Sequence, residues 1–489
     1  VNTFDIFDTL IARKCVHPKI IFAQVEIRSG ITGFANTRRE AEESLAGTDY
    51  SFDDIYQRLA LLLSIDSARA ESLRQLEFEI ELENVIPIQV NLGKVNDGDL
   101  LITDMYLSSE DVAQLLQKAG LRKNVVIYQS TAGKGKGEVW RKLKDQGVEL
   151  THLGDHPHSD GRMPVEQGFG AIVTQSALLT PVERNLAESN FPAVAMISRI
   201  LRLAIEESDP ISMGLARVQA SYNIPLLMLL SIYLSRQAKA KGINSLLFSA
   251  RDCKAWYHIF SAMISNEWID ETELDCHYFY TSRISRTTAS ENYVQYVQSI
   301  AKGKTLVLDI CGTGSSLQKL VSACRVKAAC FFLLRIVSPQ IVTTARQTLD
   351  GEAAPVEIES LLTSDETNAV PTWVAWEMMN YASHGMVLDT ATVDQVHFPI
   401  CASLEFSSRQ TEWIKHMESI VHKACSLIND PFIRSEFREV DMQVPDALLA
   451  KTIATLWQEG ASDPVTHMAF QHTHVRANVL VSQQLARVK

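Results

Sequence analysis

The sequence lacks the features that mark the extreme protein classes. Glycine and proline, 22 and 15 of 489 residues, are too few for a collagen-like, low-complexity or wholly disordered chain. Positive charge is also short. Lys and Arg number 46 against 58 Asp and Glu, for a net charge of −12 without any long basic block, so no nucleic-acid partner is expected. Long apolar runs are missing too: the longest, Ile224 to Leu234, is interrupted by Pro225, Ser231 and Tyr233 and is too short to span a bilayer. The eight cysteines form no CxxC pair and no repeated spacing, which argues for reduced, mostly buried thiols rather than zinc or disulfides. The chain opens on a strand rather than on a signal peptide. The expectation is a cytoplasmic protein with no membrane span, and a few residues preceding Val1.

What is present is a mixed α/β pattern. With 46% hydrophobic residues, the length suggests about three domains or two large ones. Val1 to Leu10 reads as a strand ending in an acidic turn, and Pro18 to Val85 as helical, with Asp53 and Asp54 favourably placed in the first turn of a helix over Phe52 to Leu63. After Asp97-Gly98 the period changes. Leu100 to Thr103, Val125 to Gln129, Thr151 to Gly154 and Ala171 to Thr174 read as strands, with helices over Glu110 to Ala119 and Gly137 to Asp145. Such alternation predicts a parallel sheet with covered faces. A second series follows, with strands over Ser245 to Ser249, Cys276 to Thr281, Thr305 to Asp309 and Ala329 to Arg335. The expected organisation is an α/β domain over 1–180 with a helical insertion at about 14–95, and a helical connection over 181–240. A second Rossmann-like domain then covers 241–345, and a mostly helical region 346–489.

Four fragments of the first series each follow a strand: Asp5 to Leu10, Thr103-Asp104, Lys134 within Gly133 to Gly137, and Gly154 to Asp160. In an open parallel sheet the carboxyl ends of the strands converge on one crevice, where ligands bind. Carboxylates from two strands, a hydroxyl from a third and a lysine beside them suit one Mg²⁺ and one phosphoryl group. The bland alternative is ordinary strand-end turn chemistry, which would account for any one fragment alone.

Together the fragments resemble the four signature motifs of the haloacid dehalogenase (HAD) superfamily, with the helical stretch where that superfamily carries its cap. The wording "FDIFDTL", "TDMYLSSEDV" and "GDHPHSD" further resembles a two-part family of HAD hydrolases associated with surface-polysaccharide genes, a likeness continued in "FSARD", "YTSR" and "LDICGTG". The resemblance implies a Mg²⁺-dependent phosphohydrolase or phosphotransferase acting on a phosphorylated small molecule, such as a sugar phosphate, with glycan-assembly proteins as partners. In that reading Asp5 is the nucleophile, while Asp5, the backbone carbonyl of Phe7 and Asp155 hold the metal. Asp160 is a further acid at the metal, Thr103 bonds the phosphoryl oxygens, and Lys134, with Lys136 as rival, neutralises charge. The family's general acid-base would stand two residues after the nucleophile. That position is Phe7, and Asp8 comes one residue later, where an extended segment would point it the other way. Loss of such a group costs about 10²–10⁴ in rate. Either another residue (His156 and His158 lie in the metal loop) supplies the proton, or the leaving group needs none, or the domain binds phosphate without turnover.

The second series carries polar strand ends as well: Arg251-Asp252, Arg283, and Asp309 followed by Gly312-Thr313-Gly314 at a helix start. A Gly-rich turn presents backbone N–H groups to an anion, and arginines add forked contacts. These residues are read either as a binding site for a phosphorylated sugar or nucleotide, or as ion pairs that stitch the sheet together around an ordinary turn. A transferase with its chemistry in this second domain is a further alternative. Glu377 with His384-Gly385 carries no assigned role, and the Trp373/Trp376 pair is expected in the core.

Overall fold

A computed structural model describes residues 2–15, 17–131, 133–206, 209–269, 274–337, 356–364, 372–440 and 444–488. The expected helical region 346–489 therefore falls partly outside the described residues, as does Val1 of the first strand. The chain divides into two compact units, Val1–Thr180 with Leu203–Glu207, and Pro181–Arg202 with Ser208–Lys489.

The first unit is built on a parallel sheet. Its strands are β1 (Asn2–Phe4), β4 (Leu100–Thr103), β5 (Val126–Gln129), β6 (Thr151–Gly154) and β7 (Gly170–Val173), in the order β5-β4-β1-β6-β7. The central strand β1 pairs with β4 on one side and β6 on the other, so residues just past these three strands share one edge. Between β1 and β4 a short antiparallel pair, β2 (Ile11–Arg13) and β3 (Val85–Pro87), brackets four helices: Lys19–Ser29, Phe34–Glu43, Phe52–Leu63 and Ser67–Asn84. Local signals explain their limits. Ser51 and Asp54 form a reciprocal capping box, and Asp66 caps the fourth helix through Arg69 N–H. Their shared interior holds a charged pair: Arg38 is fully buried, forks onto Glu77 at 2.8 and 2.9 Å, and packs between the rings of Phe22 and Tyr106.

The second unit has its own parallel sheet, formed by β8 (Ser245–Ser249), β9 (Asp275–Phe279), β10 (Thr305–Gly312), β11 (Ala328–Ile336) and β12 (Ile358–Ser364), in the order β12-β11-β10-β8-β9. The sequence of β10, a nearly continuous apolar run, fits a strand covered on both faces. The chain is thus a mixed α/β protein with two Rossmann-like parallel sheets. Two features add to the expected organisation. The fifth strand and the antiparallel hairpin of β13 (Val387–Val393) and β14 (Val396–Cys401) lie in the region expected to be mostly helical. The helices of 181–240 also form no separate connection, because they belong to the same unit as the second sheet. The run Pro210–Lys241 is long and apolar enough to cross a membrane by composition, and 83% of its apolar window is buried in protein. A π-turn at Gln219–Asn223 accommodates Pro225 within it.

Removing Glu77 takes the two-bond fork from buried Arg38 and an acceptor from the Tyr56 hydroxyl, while Glu42 at 2.8 Å still pairs the guanidinium. We expect Glu77→Ala to cost about 1–3 kcal/mol in urea unfolding, with part of that recovered in Arg38→Met/Glu77→Met.

Candidate functional site

At the carboxyl edge of the first sheet, the chain leaves β1 at Asp5, whose N–H bonds to the Leu153 carbonyl of β6 at 2.8 Å. Beyond β6, Asp155 leads into a short turn of π-helix, Pro157–Arg162, that folds Asp160 back over the strand end. Gly154 permits this return: a Cβ there would lie 2.4 Å from the Asp160 side chain. One carboxylate oxygen from each of Asp5, Asp155 and Asp160 falls within 4.8 Å of the others.

Lys134 reaches this cluster from the loop after β5. Its ammonium is buried, bonds to Asp5, lies 2.6 Å from Asp160 and donates to the Ile102 carbonyl at 3.2 Å. The turn is set by Gly133, which accepts from Glu138 N–H, and by Gly137, whose φ of +77° suits a residue without Cβ. Lys136 is exposed and donates to the Gly47 carbonyl instead. Thr103, buried at the end of β4, accepts from Met105 N–H at 3.2 Å.

A histidine that sequence reasoning missed completes the cluster. His152 lies buried on β6 between the Thr3 hydroxyl (2.9 Å) and Asp160 (3.2 Å), and meets the Trp140 ring edge-on. Burial holds its pKa below the ordinary value, so the ring is neutral at neutral pH. Asp160 as an anion only accepts, which puts the proton on Nε2 and leaves Nδ1 to accept from Thr3. Nothing in the strand's alternation distinguishes His152 from a packing residue, so no sequence signal points to it.

The electrostatics are those of a cluster with too much negative charge. Burial pushes Asp5 up to about 7, with Lys134 pulling it down and Asp160 pushing it up. Burial, then Asp160 and Asp8, raise Asp155 to about 6. Burial alone would raise Asp160 as well, yet the His152 hydrogen bond and the Lys134 ammonium hold it below the usual carboxylate range. For Lys134 the two carboxylates outweigh burial and keep the amine protonated. One ammonium cannot balance three carboxylates. Their oxygen-only donor set fits a hard divalent cation such as Mg²⁺.

The loop after Asp5 differs from the extended segment expected. Asp8 takes a left-handed φ of +57°, so alternation of side chains does not hold there, and its charge is felt at Asp155. The Phe7 ring lies under the Arg13 guanidinium at 4.5 Å, which in turn forks onto Glu81. His156 and His158 have local tasks: His156 Nδ1 accepts from two backbone N–H groups of its own turn, and His158 Nε2 meets the Gly135 carbonyl at 3.1 Å.

The second unit gathers its own set. A cavity of about 620 Å³ is lined by Arg251, Asp252, Arg283, Asp309 and the Gly312-Thr313-Gly314 turn. Arg286, Glu377 and His474 join them, and none of the three was given a role from sequence. The ion pair expected of Arg283 belongs to Arg286, one helical turn on, whose guanidinium meets Asp309 at 3.2 Å and donates to Thr281 and Ser249. Arg251 pairs with Glu405 rather than with Asp252. Of the two tryptophans expected in the core, Trp376 is buried and stacks on Trp457, while Trp373 lines the cavity. Ala250, beside Arg251, adopts φ +65° and ψ 179°, a conformation of order 1–3 kcal/mol above relaxed for a residue with a side chain.

Because a Cβ at 154 would displace Asp160, we expect Gly154→Ala to cost about 1–3 kcal/mol of stability in urea unfolding. If the cluster holds Mg²⁺, the same variant should also show a smaller change in melting temperature on adding Mg²⁺ than the native chain. The chain matches no family model and no curated protein, so the reading of both sites rests on their own geometry.

Proposed function

We propose that the first unit is a Mg²⁺-dependent phosphohydrolase or phosphotransferase of the haloacid dehalogenase type, acting through an aspartyl-phosphate on a phosphorylated small molecule. The observation that carries this reading is the meeting of Asp5, Asp155 and Asp160 around buried Lys134 at the carboxyl edge of a parallel sheet. Asp5 attacks phosphorus and the bond to the leaving oxygen breaks; water or an acceptor hydroxyl then takes the phosphoryl group from Asp5. Lys134 orients Asp5 and offsets charge on the transferring group. Thr103 supplies a hydroxyl to a phosphoryl oxygen. Asp5, Asp155 and the Phe7 carbonyl would hold Mg²⁺, with Asp160 behind them. The ion supplies the positive charge that lets a carboxylate approach a phosphate. The four helices between β2 and β3 stand as the cap in this reading, and surface-glycan synthesis is the setting that the resemblance favours.

The proton is assigned to Asp8. Its left-handed turn brings its charge to bear on Asp155, whereas both loop histidines are engaged with backbone groups. Phe7 favours a second reading, in which the HAD fold is kept for phosphate recognition without turnover, because a ring under Arg13 takes the place of the family's acid.

The test is phosphate release from sugar phosphates, nucleotides and acyl phosphates, with and without Mg²⁺. We expect metal-dependent turnover that Asp5→Asn abolishes and Asp8→Asn lowers by about 10²–10⁴. Phe7→Asp should give no gain, since Arg13 would hold the new carboxylate ionised. Absence of Asp5-dependent turnover on every substrate, with phosphate still bound, would select the second reading.

A further inference from the structure

The cavity of the second unit can be resolved into committed and available groups. Three guanidinium groups line it. Arg286 is buried and committed to Asp309, Thr281 and Ser249. Arg251 is committed to Glu405 at 2.6 Å, beneath the rings of Tyr381 and Phe406. Arg283 is exposed, opens a helix capped by Ser282, and forms no ion pair among the described residues. It is the available cation of the cavity.

Across the same space stands the start of the helix Ser315–Cys324, entered through Gly314 at φ +85°. A side chain at 314 would meet Ile358 at 2.7 Å, so the turn is kept bare. The first-turn N–H groups of that helix lack intrahelical carbonyls and favour an anion; the Thr313 hydroxyl accepts from Ser315 N–H at 3.3 Å and donates to the Ser315 hydroxyl at 3.2 Å, with Ser316 beside them.

The acidic side is different in kind. Glu377 accepts from the Cys311 thiol at 3.3 Å and has His474 Nδ1 at 3.6 Å, but pairs with no arginine or lysine among the described residues. Burial, then the neighbouring Asp252, push it up to about 7. Asp252 lies close enough to Asp309 to share a hydrogen bond and turns to the same cavity. Carboxyl groups without a cation partner, inside a cavity, call for hydrogen-bond donors from a ligand. An ammonium donor would share the cavity with the guanidinium groups of Arg251 and Arg283; neutral hydroxyls avoid that repulsion. The C-terminal helix, Val465–Val488, adds His474, Asn478, Val481 and Leu485 along one stripe, mixing polar tips with the apolar contact that a sugar ring's C–H faces accept.

We propose that this cavity binds a phosphorylated sugar, with Arg283 and the Thr313 to Ser316 turn on the phosphate and Glu377 with Asp252 on the sugar hydroxyls. The inference is independent of chemistry at Asp5. It gives the Gly-rich turn and Glu377 one shared ligand, and gives the C-terminal helix a wall of the site.

The test uses the full chain carrying Asp5→Asn, in EDTA, so that the first unit cannot turn the ligand over, and Arg283 variants of that chain separate binding in this cavity from binding at the first unit's cluster. Calorimetric titration compares glucose 1-phosphate, ribose 5-phosphate, inorganic phosphate, phosphoethanolamine and free glucose. We expect at least one sugar phosphate to bind about tenfold or more tighter than the other three classes, the gain of one to two added hydrogen bonds. Arg283→Ala should weaken it by about 10–100-fold, and Arg283→Lys by less, since the charge stays but the fork is lost. Glu377→Gln should weaken the sugar phosphate while leaving inorganic phosphate unchanged. The proposal is overturned if no sugar phosphate binds at millimolar concentration, if Arg283→Ala leaves binding intact, or if phosphoethanolamine or bare phosphate binds equally well.

Discussion

The first unit is organised by a charge imbalance. Three carboxylates converge where β1 and β6 end, and a single buried ammonium stands between two of them. Burial makes each ionised carboxylate expensive, and Lys134 offsets only part of that cost. Much of the surrounding detail follows from this constraint. Gly154 must lack a side chain so that Asp160 can return over the strand. His152 must donate to Asp160 through one nitrogen while Thr3 fixes the other. The loop after β5 must turn tightly enough to bring a lysine inward. With all three carboxylates ionised the cluster stays short of two positive charges, the charge of one divalent cation.

The second unit treats charge in the opposite way at the corresponding edge of its sheet. There buried Arg286 has its own acid in Asp309 and partly buried Arg251 has Glu405, so each of these guanidinium groups is balanced by a carboxylate. Among the described residues, what remains uncommitted is one exposed arginine, Arg283, and two acids without an arginine or lysine partner, Glu377 and Asp252. The strained backbone of Ala250 lies at this edge too. Strain of this kind persists only where the surrounding packing over-determines it, as the buried strand β8 and its neighbours do here.

The strands were legible because parallel strands covered on both faces leave continuous apolar runs, such as that of β10, bounded by polar turns. The acids of the first unit were legible because each followed such a run. Other features had no one-dimensional trace. Arg283 and Arg286 stand three residues apart on one short helix, and either spacing reaches the strand ends, so the sequence cannot say which one pairs with Asp309. The expectation of an extended segment after Asp5 did not hold at Asp8, because an aspartate tolerates the left-handed region. The helices Pro181–Glu188 and Pro192–Leu203 carry ordinary amphipathic patterns and Ile224–Lys241 is apolar nearly all round, which marks buried faces without naming what buries them.

The bracket of β2 and β3 has a consequence for how such a chain diversifies. Ile11 pairs with Pro87 and Arg13 with Val85, and Ile88 N–H bonds back to the Leu10 carbonyl. The excursion therefore leaves and rejoins the unit about one strand spacing apart, roughly 4.8 Å, the same gap that a two-residue turn closes. Topologically the four helices are the loop of a hairpin, and closure entropy grows only logarithmically with the length of a loop. Whole helices can be gained, lost or exchanged at that point without moving a single strand of the sheet. The part of the unit that faces solvent and the part that holds the charged cluster are thus free to evolve at different rates.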